Sequence, residues 1–290
     1  MMTINVHSFF HSETGTASYL LADADTNQAA IIDSVLDFDV VSGKLAATIP
    51  DQQLQWLEDN NCQLIRILET HAHADHLSAA QYLKQHSSAQ TLIGKGIISA
   101  QNNFKSTLIP IGDASDFDRL LEDEEIIPLG KSQIRVMSTP GHTDDSVCYL
   151  VDDNIFVGDT LFMPDGGTAR CDFPGGSAAQ LWESIAKIHA LPSQTKIWVC
   201  HDYQPNGRAV KIQTTVAQSH KFNIHVNKEI SKEAFISMRT ARDATLALPT
   251  LIYPSLQVNL RAGKLPEKHQ NGVRYISIPL VTKADPDVAK

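Results

Sequence analysis

Residues 70–76 read Thr70-His71-Ala72-His73-Ala74-Asp75-His76 and follow directly after the largely apolar run Leu64–Leu68. Three imidazoles and one carboxylate within six residues would be costly in a protein core unless another group satisfied them. Neutral imidazole and carboxylate are ligands that zinc and iron accept. A short loop between a strand and a helix can direct alternate side chains into one pocket. The stretch therefore predicts a metal site, and a solvated histidine-rich loop is the alternative.

Three further loops offer metal-competent side chains directly after predicted strands. His142 lies in Thr139-Pro140-Gly141-His142-Thr143, Asp159 in Gly158-Asp159-Thr160, and His201 in Cys200-His201-Asp202-Tyr203. Each of these short patterns is weak on its own. Because side chains at the ends of strands share a rigid sheet edge, we expect the four loops to converge on one site.

Short apolar runs between turn residues predict strands in both halves of the chain. These strands are Ser18–Ala22, Ala29–Ile32, Leu64–Leu68, Thr91–Ile93, Gln133–Ser138, Ser146–Val151, Asn154–Val157 and Ile197–Cys200. Helices are predicted at Asp51–Asn60, Leu77–Lys84, Ala178–Ala190, Val210–Val216 and Lys232–Leu246, with Ser177 and Gln180 in a capping-box pattern. The tail from Pro249 is rich in proline and turn residues. We therefore expect two αβ halves in a core of residues 1–205, with residues 206–290 as a helical and irregular extension packed on the same domain.

Composition narrows the class of protein. The 290 residues carry 24 basic and 33 acidic side chains, a net charge of −9 with histidine neutral, which disfavours nucleic acid and anionic membranes as partners. The four cysteines include no CxxC pair, and no apolar run approaches the roughly 18 residues of a membrane span. The amino terminus has no basic stretch followed by an apolar one. We expect a cytoplasmic protein with reduced thiols.

With these motifs in place, the chain resembles the metallo-β-lactamase family over residues from about 15 to 205. The resemblance implies an α/β (α+β) fold, a four-layer αββα sandwich whose metal site lies along one edge of two sheets. In the dinuclear hydrolases of the family, the corresponding residues His71, His73 and His142 would hold one metal. The second metal would be held by Asp75, His76 and His201, and Asp159 would bridge the two.

Longer stretches narrow the resemblance to one branch. The segments THAHADHLSAAQYLK, TPGHTDDSVCYLV, VGDTLFMPDGGTARCDFPGGS and CHDYQPNGR look like the persulfide (sulfur) dioxygenases, above all the bacterial β-lactamase hydrolase-like group, which is related to glyoxalase II. That branch implies a single Fe(II) held by His71, His142 and Asp159, two histidines and a carboxylate as in non-haem oxygenases. His73, Asp75, His76 and His201 would then orient these ligands and bind water, or form a second metal site. The implied reaction oxidises glutathione persulfide with O₂ to glutathione and sulfite.

The implied substrate is anionic, so its site should offer cations and hydrogen-bond donors. Arg170 is the first candidate for a glutathione carboxylate, Tyr203 is the second, and Asp172 is part of the same proposed substrate site. An ion pair between Arg170 and Asp172 is the structural alternative. A dinuclear zinc or iron hydrolase, such as a glyoxalase II-like thioesterase or a lactonase, uses the same seven ligands and remains the rival function. Since relatives are commonly dimers, a homodimer is compatible with the resemblance.

Overall fold

Two six-stranded sheets packed face to face form the centre of the computed structural model, which describes residues 4–280. The strands are β1 (Ile4–His11), β2 (Thr16–Asp23), β3 (Gln28–Ile32), β4 (Val35–Asp39), β5 (Lys44–Ala46), β6 (Gln63–Leu68), β7 (Leu77–Ser78), β8 (Gln90–Gly94), β9 (Arg119–Leu121), β10 (Ile126–Leu129), β11 (Ser132–Ser138), β12 (Val147–Val151), β13 (Asn154–Phe156), β14 (Lys196–Trp198) and β15 (Gln213–Thr215). The helices are α1 (Thr48–Asp59), α2 (Ala80–Gln85), α3 (Ile97–Phe104), α4 (Ala178–His189), α5 (Val216–Phe222), α6 (Lys232–Asp243) and α7 (Ile252–Asn259). The first sheet has the order β1-β2-β3-β6-β8-β9, the second β10-β11-β12-β13-β14-β15, and a small third sheet β5-β4-β7.

Strand β2 shows why the layers form. All eight of its residues are buried, because side chains alternate between the two faces of a strand and both faces are covered. Tyr19 and Leu21 join the core between the two large sheets. Leu20 faces the opposite way, into a core closed by Leu57 of α1 and Leu83 of α2. On the far side, α4 and α6 cover the second sheet, so the predicted αββα sandwich is confirmed.

The direction of the strands fixes where loops meet. Strands β3, β6 and β8 run parallel in the first sheet, and β13 and β14 run parallel in the second. Strand β11 has the same direction as β13, since each is antiparallel to β12. The loops that follow β3, β6, β11, β13 and β14 therefore emerge at one edge of the sandwich.

Three predictions of secondary structure need correction. The helix predicted at Val210–Val216 is wrong: residues 213–215 pair antiparallel with β14, and α5 begins only at Val216. The helix predicted from Leu77 starts later, at Ala80, because Leu77 and Ser78 pair with β4. The tail beyond Pro249 contains α7, which is buried along most of its length. Helix α4 is confirmed, and the Ser177 side chain accepts a hydrogen bond from Gln180 N.

The segment after residue 205 is joined to the sandwich at several points. Strand β15 extends the second sheet, α6 packs on α4, and α7 packs beside β7. A division at residue 205 stays a prediction, and residues 281–290 lie outside the described residues. Among the described helices, none is both long and apolar enough to cross a bilayer.

Candidate metal centre

The histidine-rich loop after β6 is held by buried carboxylates from both sheets. Asp33, directly after β3, accepts hydrogen bonds from Thr70 N and Thr70 Oγ1, both at 2.8 Å. Asp145, in the loop before β12, accepts a bond of 2.7 Å from Ala72 N. Burial raises the pKa of Asp33 to about 6 and also raises that of Asp145. The hydrogen bonds that these carboxyl groups accept offset the cost of burying them and anchor the loop.

Close packing at glycine positions the two loops of the second sheet that carry His142 and Asp159. Gly141, next to His142, has φ +140°, and a Cβ at this position would overlap the backbone of Leu181 at the start of α4. Gly158, next to Asp159, has φ +50° and sits against the side chain of Thr70. These glycines allow the loops to approach the centre more closely than a residue with a side chain would.

All seven residues expected from the sequence as metal ligands come together at this edge. The ligand atoms of His71, His142 and Asp159 lie within 4.8 Å of one another. A second group, with the same spacing, consists of His73, Asp75, His76 and His201. Asp159 lies between the groups: its Oδ2 is 3.6 Å from His142 Nε2, and its Oδ1 is 3.3 Å from His201 Nε2.

The unpaired atoms of the cluster fit a metal. Several buried nitrogen and oxygen atoms have no hydrogen-bond partner among the described residues, namely His71 Nε2, His73 Nδ1, His76 Nε2, His201 Nε2 and Asp159 Oδ1. An unpaired polar atom in a protein interior is costly, and a bound cation would satisfy these five. This donor set of imidazole and carboxylate fits zinc or iron.

Neighbouring groups direct the imidazole lone pairs towards the centre. His142 Nδ1 donates to the carbonyl oxygen of Arg170 at 2.7 Å, and His71 Nδ1 lies 3.1 Å from Thr70 Oγ1. In both rings Nε2 is left free to bind a metal. Burial, followed by the neighbouring His73, holds the pKa of His71 well below its usual value, so this ring is neutral.

The two carboxylates of the centre differ in their surroundings. Burial disfavours the charge of both, but His201 and His76 hold the pKa of Asp75 well below its usual value. For Asp159, burial is the larger effect, and its pKa is raised despite nearby His201 and His142. A divalent cation between the two groups would stabilise the ionised form of each carboxylate.

Several residues that shape the centre were not identified from the sequence. Asp33 could have been found, since it follows a predicted strand as the candidate ligands do. Asn259 of α7 had no such signal: it donates to His73 O and His76 O, each at 2.7 Å. The thiol of Cys200 lies within 4.8 Å of ligand atoms of Asp159 and His201.

A cavity of about 210 Å³ opens onto Asp75, His142 and Asp159. Arg170 lines it, but its guanidinium is bound to both oxygens of Asp172 at 2.6 and 2.7 Å and to Ala247 O at 2.7 Å. The Arg170–Asp172 ion pair considered as the structural alternative is thus present. A larger cleft of about 1030 Å³ lies at the other end of the strands, between His7, Trp56 and Trp198, and contains none of the candidate ligands.

Two other side chains lie at the rim of the smaller cavity, which opens onto the metal centre. Tyr203 is 64% exposed and stacks on His201, with ring centroids 5.5 Å apart. Arg242 of α6 also lines the cavity, and its guanidinium makes no hydrogen bond or ion pair with any residue between 4 and 280. Arg242 is therefore the cation at the rim that is free to bind an anion.

The fold and the site can be compared with known proteins. A probable metallo-hydrolase of Burkholderia pseudomallei is 47% identical over 96% of this chain and 99% of its own length. Glyoxylase B2 of Dictyostelium discoideum is 46% identical, over 95% of this chain and 96% of its own length. The mitochondrial persulfide dioxygenase ETHE1 of Homo sapiens is 27% identical over 90% and 89% of the two chains. Proteins of the β-lactamase hydrolase-like group are also relatives.

A solved structure matches the fold of this chain. The crystal structure of ETHE1 from Myxococcus xanthus matches with a TM-score of 0.73 and 28% identity, covering 90% of this chain and all of that one. The family model described as the metallo-beta-lactamase superfamily matches residues 12–248. The resemblance inferred from the sequence is confirmed, and the chain belongs to the metallo-beta-lactamase superfamily.

Proposed function

We propose that the protein is a mononuclear non-haem Fe(II) persulfide dioxygenase that acts in cytoplasmic sulfide detoxification. The observation that carries the proposal is the three-residue group of His71, His142 and Asp159, two imidazoles and one carboxylate within 4.8 Å. This is the ligand set of non-haem Fe(II) oxygenases, which leaves coordination positions open. The likeness to ETHE1 in sequence and fold supports the same branch.

The balanced reaction is glutathione persulfide + O₂ + H₂O → glutathione + sulfite + 2 H⁺. The terminal sulfur loses four electrons to O₂, the S–S bond breaks, and the third oxygen of sulfite comes from water. His71, His142 and Asp159 would hold Fe(II), which would supply the redox chemistry that activates O₂ and binds the persulfide sulfur.

The chain's own residues would bind and orient the reactants. Arg242 would pair with a glutathione carboxylate at the rim, where a planar guanidinium can bind both oxygens. Phe162 and Phe173 line the same cavity and give it an apolar wall. The hydrogen bond from His142 to Arg170 O keeps His142 Nε2 turned towards the centre.

Acceptor atoms on the other side of Asp159 would bind the water that the reaction consumes. Asp75 Oδ2 and His201 Nε2 lie 3.3 Å apart, and both can accept hydrogen bonds. A water hydrogen-bonded to both acceptors would lie beside the three-residue group.

A dinuclear hydrolase is the second candidate. The observation that favours it is the four-residue group of His73, Asp75, His76 and His201, which would complete a second metal position. Relatives named metallo-hydrolase and glyoxylase B2 point the same way.

Anaerobic purification, metal counting and two assays separate the candidates. We expect close to one iron per chain, oxygen uptake with glutathione persulfide, and no hydrolysis of S-lactoylglutathione. His142→Ala should lose iron and oxygen uptake together, because it removes one of three protein ligands. Two zinc ions per chain with turnover of the thioester alone would exclude the dioxygenase and establish the hydrolase.

A further inference from the structure

A chain of hydrogen bonds, buried at its inner end and partly buried at its outer end, leads from the metal centre past the turn between β1 and β2 to β4. His201 Nδ1 and His76 Nδ1 lie 3.3 and 3.4 Å from the hydroxyl of Thr16, and His76 Nδ1 also lies 3.4 Å from Asp75 Oδ1. Thr16 Oγ1 is 2.7 Å from Thr14 Oγ1, which is 2.8 Å from His11 Nδ1. His11 Nε2 then lies 3.1 Å from Asp37 Oδ1.

The carboxylate at the outer end determines the direction of every bond in the chain. Asp37 is partly exposed and also accepts a bond of 2.9 Å from Thr48 N at the start of α1. Burial opposes its charge, but the bonds from Thr48 and His11 lower its pKa, so it is ionised and can only accept. His11 must therefore donate through Nε2, and in this tautomer its Nδ1 accepts.

The two threonine hydroxyls have fixed donor and acceptor roles as well. Thr14 donates its single proton to His11 Nδ1, so its oxygen must accept from Thr16. Thr16 has then used its proton, and its oxygen has two lone pairs left for His76 and His201. Both rings consequently carry their proton on Nδ1, and their Nε2 atoms, which have no hydrogen-bond partner among the described residues, face the centre as lone pairs.

We propose that Asp37, His11, Thr14 and Thr16 form a positioning chain that orients His76 and His201, with both Nε2 atoms directed into the centre, where they can bind a metal ion or water. The burial of Thr16, at 0% exposure, and of His11, at 6%, protects the chain from competing water. An outer partner that fixes the tautomer of a ligating histidine typically affects metal affinity by 10- to 100-fold. The inference concerns the four-residue group and does not depend on which reaction the protein catalyses.

Zinc is a suitable probe, because it is not redox-active and its affinity for the protein can be measured by chelator competition. The proposed dioxygenase holds its iron in the three-residue group, but we expect Zn(II) in excess to fill both groups of the metal-free full chain. Thr16→Val should raise the dissociation constant of the ion at the four-residue group by about 10- to 100-fold and leave the other within a factor of about three. His11→Phe should act in the same direction. Thr16→Ser, which restores the hydroxyl, should return the affinity to that of the unmodified protein.

Thr91→Val is the matched control, since Thr91 is equally buried and its hydroxyl binds Asp118 at 3.1 Å, away from the centre. In the zinc-loaded protein, Nδ1–H signals of His76 and His201 should be observed by ¹⁵N NMR and exchange slowly, and Thr16→Val should accelerate that exchange. Equal effects of Thr16→Val and Thr91→Val on zinc affinity, or Nδ1–H exchange at His76 and His201 that Thr16→Val does not accelerate, would overturn the proposal. Absence of oxygen uptake with these zinc results intact would reject the dioxygenase alone.

Discussion

Two arginines at the rim of the cavity differ in what their guanidinium groups bind. Arg170 is committed to Asp172 and Ala247, so it builds the wall of the cavity and offers its carbonyl to His142. Arg242 lines the same cavity without a partner among the described residues. In a protein with a net charge of −9, an unpaired arginine near the centre is the feature that would attract an anionic substrate.

Arg242→Ala should weaken substrate binding and leave the metal in place. We expect KM for glutathione persulfide to rise about three- to fivefold with kcat nearly unchanged, because a guanidinium–carboxylate pair at an exposed site is worth up to about 1 kcal/mol. Steady-state oxygen uptake and iron content measure the two effects. Arg135→Ala is the control, since Arg135 pairs with Glu124 away from the cavity. An unchanged KM in Arg242→Ala would remove Arg242 from the substrate site.

The sequence identified residues whose chemistry is encoded locally. His71 to His76 form one short motif, and His142, Asp159 and His201 each follow a strand, so their convergence could be inferred from strand direction. Asn259 and Arg242 could not be identified in this way, because only the tertiary fold brings them close to ligands that are distant in the sequence. Thr16 was missed for the same reason: 185 residues separate it from His201.

Helix α7 is the element that connects the C-terminal segment to the metal loop. Its amide-bearing residue Asn259 is buried, donates to His73 O and His76 O, and accepts from Ser78 N at 2.8 Å. Two of these bonds end on the loop that carries four candidate ligands, and the third comes from β7, directly after it. The helix was not predicted from the sequence because Pro254 and the surrounding turn residues favour irregular structure, although proline is tolerated in the first turn of a helix.

Replacing Asn259 should disturb both stability and metal binding. Asn259→Ala leaves two carbonyls of the loop and one N–H of β7 without partners, so we expect a loss of about 2–4 kcal/mol in the free energy of unfolding. We also expect at least tenfold weaker zinc binding. Gln257→Ala on the same helix is the matched control, since Gln257 binds Tyr253 O and Ser277 O instead of the metal loop. Denaturant titration and chelator competition would show a loss of stability in both variants but weaker zinc binding in Asn259→Ala alone.

The prediction of β15 as a helix shows what local sequence cannot specify. Thr214, in the middle of this strand, pairs with Ile197 of β14, and the pairing satisfies backbone groups that the edge of the second sheet would otherwise leave open. Apolar spacing within residues 210–216 carries no information about that edge. Elements that are buried on both faces, such as β2, were predicted correctly because their apolar runs are independent of their partners.

At the scale of the whole molecule, the centre depends on how the two sheets are joined. Val147 N, at the start of β12, donates to Thr70 O at 2.9 Å, and Ala17 N donates to Cys200 O at 2.7 Å. Both bonds cross from one sheet to the other beside candidate ligands. Since His71 and His142 come from different sheets, a shift between the layers would change the distance between ligands, and the packed core resists such a shift.

Overall stability should fall in mild acid because of a histidine outside the metal centre. His189 at the end of α4 lies 3.0 Å from Ser219 Oγ, and burial, together with nearby His220, lowers its pKa to about 4. The unfolded chain binds this proton near pH 6.5, so the unfolded state holds more protons between the two values. The free energy of unfolding is therefore unaffected by this histidine above about pH 6.5 and decreases as the pH falls towards 4.

His189→Gln should reduce that acid sensitivity. Between pH 7.5 and pH 5.0 the buried ring costs the unmodified protein about 2 kcal/mol of unfolding free energy, and glutamine, which does not titrate, removes this contribution while still reaching Ser219. Urea titrations of zinc-saturated protein at both pH values measure the difference. His86→Gln, at an exposed ring, should leave the pH dependence as it is. If His189→Gln lost as much stability as the unmodified chain, the acid sensitivity would have to arise elsewhere in the molecule.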